Sequence, residues 1–275
     1  MPESIRSQLG LATERLRTVS DSPRLDAELL LARSLEWPRS RLYARSEERL
    51  SDPARQRFLE LLAARECGQP VAYLLGTQEF WSLDFELGQN CLVPRPETEG
   101  LVELALADSG DALSVLDLGT GSGAIAIAIA HERPHWRVSA VDMSTSALQW
   151  AQRNGERHGV TVRWLQGSWF EPVAAERFDM ILSNPPYLAA DDPHLARLQH
   201  EPVQALVSGP TGLEALEHII KMAPEHLLPD GLLALEHGLE QGAAVRNLLQ
   251  AAGLTAVVTH RDLAGHERIS CGRRA

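Results

Sequence analysis

A short apolar run, Ser114-Val115-Leu116-Asp117-Leu118, is followed at once by Gly119-Thr120-Gly121-Ser122-Gly123 and then by alternating alanines and isoleucines from Ala124 to Ala130. A strand, a glycine turn and a helix in that order constrain the fold more than any other segment of the chain. Glycines let the backbone turn tightly and pass close to a ligand, and the first turn of the helix offers N–H groups without an internal partner. The order predicts a nucleotide pocket at the carboxyl end of a strand in an open α/β sheet. Gly119-x-Gly121-x-x-Ala124 also satisfies the dinucleotide-binding fingerprint, so the spacing alone leaves a nicotinamide enzyme open.

The next apolar run, Arg137 to Val141, ends in Asp142, where a carboxylate can take both hydroxyls of a ribose in either cofactor class. Asp142 could instead cap the helix that begins near Thr145, but Ser144 is better spaced for that role. Further on, Phe178 to Ser183 reads as a buried strand leading directly into Asn184-Pro185-Pro186-Tyr187. Two prolines fix φ and remove two backbone donors, leaving a rigid corner rich in acceptors. The Asn184 side chain adds a carbonyl that accepts and an amide that donates, so the corner can grip both hydrogens of a planar NH2 group. Taken alone, Asn-Pro-Pro is equally well read as a turn that ends a strand.

Strand-like runs at Thr161–Leu165, 232–236, 255–260 and 267–271 continue the alternation with helices and predict a mostly parallel sheet covered on both faces. Only six residues separate the last two runs, too few for a parallel crossover, so the sheet should close with an antiparallel hairpin. Ahead of it, apolar residues at helical spacing (Ile5, Leu9, Ala12, Leu16; Leu25, Leu29, Leu30, Leu35; Phe58, Leu61, Leu62) predict a small helical domain over residues 1–75. Residues 76–92, with Phe80-Trp81-Ser82-Leu83-Asp84-Phe85, read as a β-hairpin linker, and residues 93–275 as the catalytic domain.

At 275 residues and 44% hydrophobic, the chain can bury a large core beside a smaller one. Its formal charge of −11 argues against a broad nucleic-acid surface, which needs Lys and Arg to neutralise phosphates. Cys67, Cys91 and Cys271 are too scattered for a disulfide framework, and Cys91 has no base nearby in sequence to make it a nucleophile. His131 and His135 have ligand-like spacing, but Pro134 breaks the helix between them and no third ligand follows, so no metal is expected. Glu236-His237 reads as a structural strand end rather than an acid–base pair. Met1 to Arg6 lacks the apolar stretch of a leader and no run is long enough to span a bilayer, so a cytoplasmic location is expected.

Three blocks in order, Leu92-Val93-Pro94-Arg95-Pro96-Glu97-Thr98-Glu99, Val115 to Ala124 and Ser183 to Tyr187, are similar to the peptide chain release factor glutamine methyltransferases. The likeness continues through Asp192-Pro193-His194-Leu195, Leu235-Glu236-His237-Gly238 and Gly68 to Gly76, and so covers essentially the whole chain. It implies a class I S-adenosylmethionine-dependent methyltransferase fold, Rossmann-like, with a mostly parallel seven-stranded sheet, a terminal antiparallel hairpin and a small N-terminal helical domain that helps to grip a protein. The implied substrate is the glutamine of the Gly-Gly-Gln tip of bacterial release factors, methylated on its amide nitrogen; the implied products include S-adenosylhomocysteine, and a monomer with no DNA or membrane partner is expected.

By the same resemblance, Asn184 and the Pro185 carbonyl hold the amide, with Pro186 and Tyr187 beside it, and Arg95 and Glu97 close the pocket. Asp117, Gly119, Thr120, Gly121, Ser122, Gly123, Asp142 and Asn184 contact the cofactor, and Trp169 flanks its adenine. An amide nitrogen is a poor nucleophile, so position and polarisation must supply what its lone pair lacks, and its proton can leave late without a strong base. Where relatives carry Val-Arg before Glu-Pro, this chain has Arg197-Leu198-Gln199-His200-Glu201-Pro202, shorter and differently charged, and its contacts with a release factor should differ accordingly. Two other readings use part of these features: an adenine amino-methyltransferase shares the Asn-Pro-Pro-Tyr chemistry but should carry a basic region, and a nicotinamide oxidoreductase leaves that corner unexplained. A binding module without catalysis would have no use for the intact corner and loop.

Overall fold

A computed structural model describes residues 4–107, 110 and 112–275 of the chain; the part of the leader reading that falls on residues 1–3 lies outside the described residues. The chain divides into two compact units, one of residues 1–77 with 197–200, the other of residues 78–196 with 201–275.

The first unit is helical: α1 (Ile5–Leu16), α2 (Pro23–Leu35), α3 (Arg39–Ala44), α4 (Asp52–Glu66) and α5 (Val71–Leu75). Ser4 caps α1 by accepting from the Ser7 N–H, and Ile5, Leu9, Ala12 and Leu16 are all buried, as their spacing predicts. Helix α2 departs from the expected face. Leu25 is exposed and Leu29 and Leu35 only partly covered, while Ala27, Leu30, Leu31 and Ser34 point inward. The actual stripe begins next to Asp26, whose buried carboxylate accepts from Arg65 Nε of α4 at 2.8 Å. A paired charge therefore occupies a core-facing position that hydrophobic periodicity alone cannot assign.

In the second unit, β1 (Thr77–Phe80) and β2 (Leu83–Glu86) form a two-stranded sheet, with Thr77 at the margin of the first unit. Trp81 and Ser82 turn between them at φ 53° and 57°, the left-handed pair that tight hairpins require. Then follow α6 (Glu99–Leu106), β3 (Ser114–Leu118), α7 (Ala124–Glu132), β4 (Arg137–Asp142), α8 (Thr145–His158), β5 (Arg163–Gln166), β6 (Phe178–Ser183), α9 (Glu214–His226), β7 (Leu227–Glu236), α10 (Gly242–Ala251), β8 (Leu254–Arg261) and β9 (Glu267–Arg274). The large sheet has seven strands in the order β5-β4-β3-β6-β7-β9-β8. Strands β5 to β7 run parallel; β9 pairs antiparallel with both β7 and β8, so the terminal hairpin is present.

Period-two alternation sorts the central strands onto two cores. Val115, Met180, Leu182, Leu232 and Ala234 face a cluster with α6 and α7, while Leu116, Leu118, Ile181, Leu233 and Leu235 face one with α9 and α10. All seven residues from Ala124 to Ala130 are buried, which explains a helix apolar all round. Side chains pin β3 against β6 at both ends: the Ser114 hydroxyl donates to Asp179 at 2.6 Å, and the Ser183 hydroxyl donates to the Leu118 carbonyl at 2.6 Å. The order of strands reverses between β3 and β6, and in sheets of this kind the crevice beyond such a reversal takes ligands.

Candidate functional site

The crevice is there. A cavity partly open to solvent lies within the second unit at the carboxyl ends of β3, β4, β5 and β6. Its wall includes Gly119, Thr120, Gly121 and Ser122 after β3, Asp142 at the end of β4, Trp169 after β5, and Asn184 and Pro186 after β6. Arg95 lines it from the loop before α6. Of the other candidate site residues singled out in the sequence, none lines the cavity: Asp117, Gly123 and Pro185 are buried, Tyr187 is half-buried and Glu97 is exposed.

The glycine loop is held rigid from outside. Gly119 and Thr120 both donate their N–H to the Val141 carbonyl, at 2.8 and 3.0 Å, and Gly123 donates to Thr120. Gly119, Gly121 and Gly123 take φ of 72°, 57° and 85°, which L side chains rarely adopt. A Cβ on Gly121 would meet nothing within 4 Å, so this face of the loop is bare toward the cavity. A Cβ on Gly123 would come to 2.8 Å from Ile127, so that glycine serves packing behind the loop.

Asp142 links the loop to the next helix: Oδ2 accepts from the Gly121 N–H and Oδ1 from the Ser144 N–H, both at 2.8 Å. Ser144 itself caps α8 by accepting from the Ala147 N–H, as its spacing suggests. Each Asp142 oxygen keeps a second lone pair beside the cavity, and burial raises its pKa. Under the loop, Asp117 is wholly buried, and its Oδ2 accepts from the Thr120 hydroxyl at 2.6 Å. Burial pushes this acid up to about 7 against the pull of the Thr120 hydroxyl and the Ala126 N–H. A bare glycine cradle and a carboxylate with spare acceptors fit a ligand carrying a ribose. Trp169 lies at φ 46°, a costly conformation for a bulky side chain, and its ring stands by Gly119 on the cavity wall.

The proline corner is tied into a buried chain of hydrogen bonds. Asn184 Nδ2 donates to Thr98 Oγ1 at 3.0 Å, and Thr98 donates its hydroxyl proton to Glu236 Oε2 at 2.6 Å. With its nitrogen so engaged, Asn184 has its carbonyl oxygen Oδ1 as the acceptor for the cavity. Tyr187 packs in the core shared with α9 and α10, and burial, then the nearby Glu236, pushes its hydroxyl up to about 12. Its backbone carbonyl accepts from Gln241 Nε2 at 3.0 Å.

Residues 9–76 match the PrmC N-terminal domain family and residues 98–209 the Methyltransferase small domain family. The chain is 48% identical over 278 residues to a protein of Xylella fastidiosa strain Temecula1, covering 99% of this chain and 98% of that one, and 50% identical over 262 residues to one of Pseudomonas aeruginosa, covering 93% and 94%; both bear the name release factor glutamine methyltransferase. The chain belongs to the release factor glutamine methyltransferase family. Its fold is also that of a crystallised methyltransferase from Pyrococcus furiosus, with a TM-score of 0.56 and 21% identity over 70% of this chain and 89% of that one. Membership in this methyltransferase family removes the nicotinamide reading of the glycine loop.

Three site residues of this glutamine methyltransferase family member escape a reading of sequence. Thr98 was visible only as part of its proline-framed block. Glu201, with its side chain 2% exposed, accepts from the Val93 N–H at 3.1 Å and pairs closely with Arg95, fastening the loop that carries Pro202, Gln204 and Ala205 to the cavity's rim. Glu236 is no simple strand end: it sits 1% exposed below the corner, pushed up to about 7 by burial despite its bond to Thr98. The only signals are a Glu-Pro pair and a lone acid closing an apolar strand, neither of which names a partner. Cys91 is buried on the cavity wall, and burial, then the charges of Asp142 and Glu201, pushes its thiol up to about 12, which suits an inert side chain rather than a nucleophile.

Proposed function

We propose that this protein methylates the side-chain amide nitrogen of a glutamine in a bacterial release factor, in the Gly-Gly-Gln tip, with S-adenosylmethionine as donor. The observation that carries the reading is the Asn184 carbonyl oxygen, left as an acceptor at the mouth of a glycine-cradled cavity because its nitrogen is bonded to Thr98. Asp142 and the loop from Gly119 to Ser122 would hold the cofactor, with Trp169 at its adenine, Asp117 beneath and Gly123 shaping the turn. When bound, the cofactor supplies an electrophilic methyl on a sulfonium sulfur.

The residues of the chain do the positioning. Asn184 Oδ1 accepts one amide hydrogen of the substrate, and the Pro185 carbonyl accepts the other. Two acceptors on one NH2 group draw electron density onto nitrogen and aim it, which is what a delocalised amide needs. Pro186 and the Tyr187 face close the corner, and Arg95, braced by Glu201, bounds the opening with Glu97 outside it. Residues 1–75 are proposed to grip the protein substrate, residues 76–92 to link, and residues 93–275 to carry the chemistry, in a cytoplasmic monomer.

The test is mass spectrometry of a purified bacterial release factor after incubation with the protein and S-adenosylmethionine, fragmented to locate the added group. One methyl on the Gly-Gly-Gln glutamine is expected, with none from Asn184→Ala although that variant still binds the cofactor by calorimetry. Full turnover by Asn184→Ala would overturn the reading.

A further inference from the structure

The Asn184 amide has two nearly isosteric ends of opposite polarity, and only one of them can receive a hydrogen from an NH2 group. What decides which end faces the cavity is therefore part of the chemistry, and it lies one layer below the corner. We propose that Thr98 and Glu236 are positioning residues that set the polarity of the Asn184 amide and so hold its carbonyl oxygen toward the reacting amide. The inference rests on the reading that Asn184 grips a substrate NH2 group.

Thr98 has a single hydroxyl proton, and the 2.6 Å contact with Glu236 Oε2 takes it whenever Glu236 is a carboxylate, since a carboxylate can only accept. The Thr98 oxygen is then an acceptor toward Asn184. It can meet Nδ2, as it does at 3.0 Å, but turning the amide over would set two oxygens face to face with no proton between them. Burial makes that choice expensive, because Thr98 is 4% and Glu236 1% exposed. Once Glu236 is protonated, its own O–H can donate to Thr98, whose proton is released to bond the opposite end of Asn184. The corner would then present a donor to a donor.

The groups around Glu236 leave this proton within reach of ordinary conditions. Arg268 of β9 and Arg95 favour the carboxylate, Glu97 opposes it, and the Tyr187 hydroxyl stays protonated beside it. Burial is the larger influence and brings the acid to about 7. Glu236 ionised is the productive form, so activity rises with pH through this region and falls as the proton returns.

Purified wild type and the variants Thr98→Val, Thr98→Ser, Glu236→Gln and Asn184→Ala are compared for kcat and KM of methyl transfer to a release factor from pH 5.5 to 9 (on the order of the range that spans the acid), with S-adenosylmethionine affinity by calorimetry as the check of an intact fold. Thr98→Val should lose about 10- to 100-fold in kcat with cofactor affinity unchanged, the scale of a misaimed reacting group. Thr98→Ser should recover most of that loss, and Glu236→Gln should lower kcat and abolish the acid limb of its profile. If Thr98→Val binds no cofactor, the Ser and Gln variants carry the test. A Glu236→Gln profile with the wild-type limb and kcat within about twofold, while Asn184→Ala is inactive, overturns the proposal and leaves the substrate reading standing. No methyl transfer by wild type, or full activity of Asn184→Ala, brings down both.

Discussion

Asn154 and Glu86 exchange hydrogen bonds in both directions: Asn154 Oδ1 accepts from the Glu86 N–H at 2.7 Å, and Asn154 Nδ2 donates to the Glu86 carbonyl at 2.9 Å. The side chain thus imitates a neighbouring strand and satisfies the end of β2. Its Nδ2 also donates to the Ser122 carbonyl at 3.0 Å, so one fully buried amide joins the small sheet to the glycine loop.

Replacing Asn154 with alanine should therefore act twice. It leaves buried backbone groups of Glu86 and Ser122 without partners, a loss of about 2 to 4 kcal/mol by the usual penalty for such groups. It also loosens the loop and should weaken cofactor affinity. Chemical denaturation measures the first effect and titration calorimetry the second; an unchanged midpoint would contradict the role.

Gly212 is the position least able to accept a side chain near the site. At φ 77° an added Cβ would stand 2.6 Å from the Tyr187 carbonyl oxygen and 2.9 Å from the Ala189 nitrogen, both backbone atoms that cannot swing away. Gly212→Ala should cost at least about 2 kcal/mol of stability and shift the corner that carries Asn184, lowering kcat far more than KM. Thermal melts and steady-state kinetics together separate the two losses.

Asp117 makes stability depend on pH in the sense opposite to a paired carboxylate. Its folded pKa, about 7, lies above the unfolded value, so the native state binds the proton more tightly. The penalty is absent below the unfolded pKa, grows as pH rises through the interval, and is complete above about 7. It amounts to something on the order of 4 kcal/mol as an upper figure. Asp117→Asn should raise the melting temperature at pH 8, leave it nearly unchanged at pH 4, and flatten the profile between; melting curves at a series of pH values decide it.

Asp142→Ala removes the acceptor shared by Gly121 and Ser144 as well as its spare lone pairs. Loss of one or two charge-assisted bonds to a ribose should weaken S-adenosylmethionine binding by about 10- to 1000-fold. Asp142→Asn, which keeps one acceptor oxygen, should fall between wild type and alanine in calorimetry.

How far the sequence was legible follows from the range of the interactions. The order of strands and helices, the terminal hairpin, the glycine loop and the Ser144 cap are written in neighbouring residues, as are the apolar runs of β3 and β6, which are buried on both faces. The Asn184 support was not legible, because Thr98 and Glu236 are 138 positions apart, nor was the Glu201 bond to Val93 across 108. The buried face of helix α2 departs from its apolar spacing because Arg65, on another helix, makes a buried Asp26 acceptable. No local pattern announces such partners; only the fold brings them together.

The two prolines of the corner have one more consequence. Pro185 and Pro186 carry no amide proton, so the middle of the corner proposed to meet the substrate is silent in hydrogen–deuterium exchange. Its ordering can be followed just beyond it at the Leu188 N–H, which donates to the Leu206 carbonyl at 3.0 Å. Deuterium uptake there, on the same stretch of chain as Gln204 and Ala205 of the cavity wall through its partner, is the place where engagement of the corner becomes visible to a peptide-level measurement.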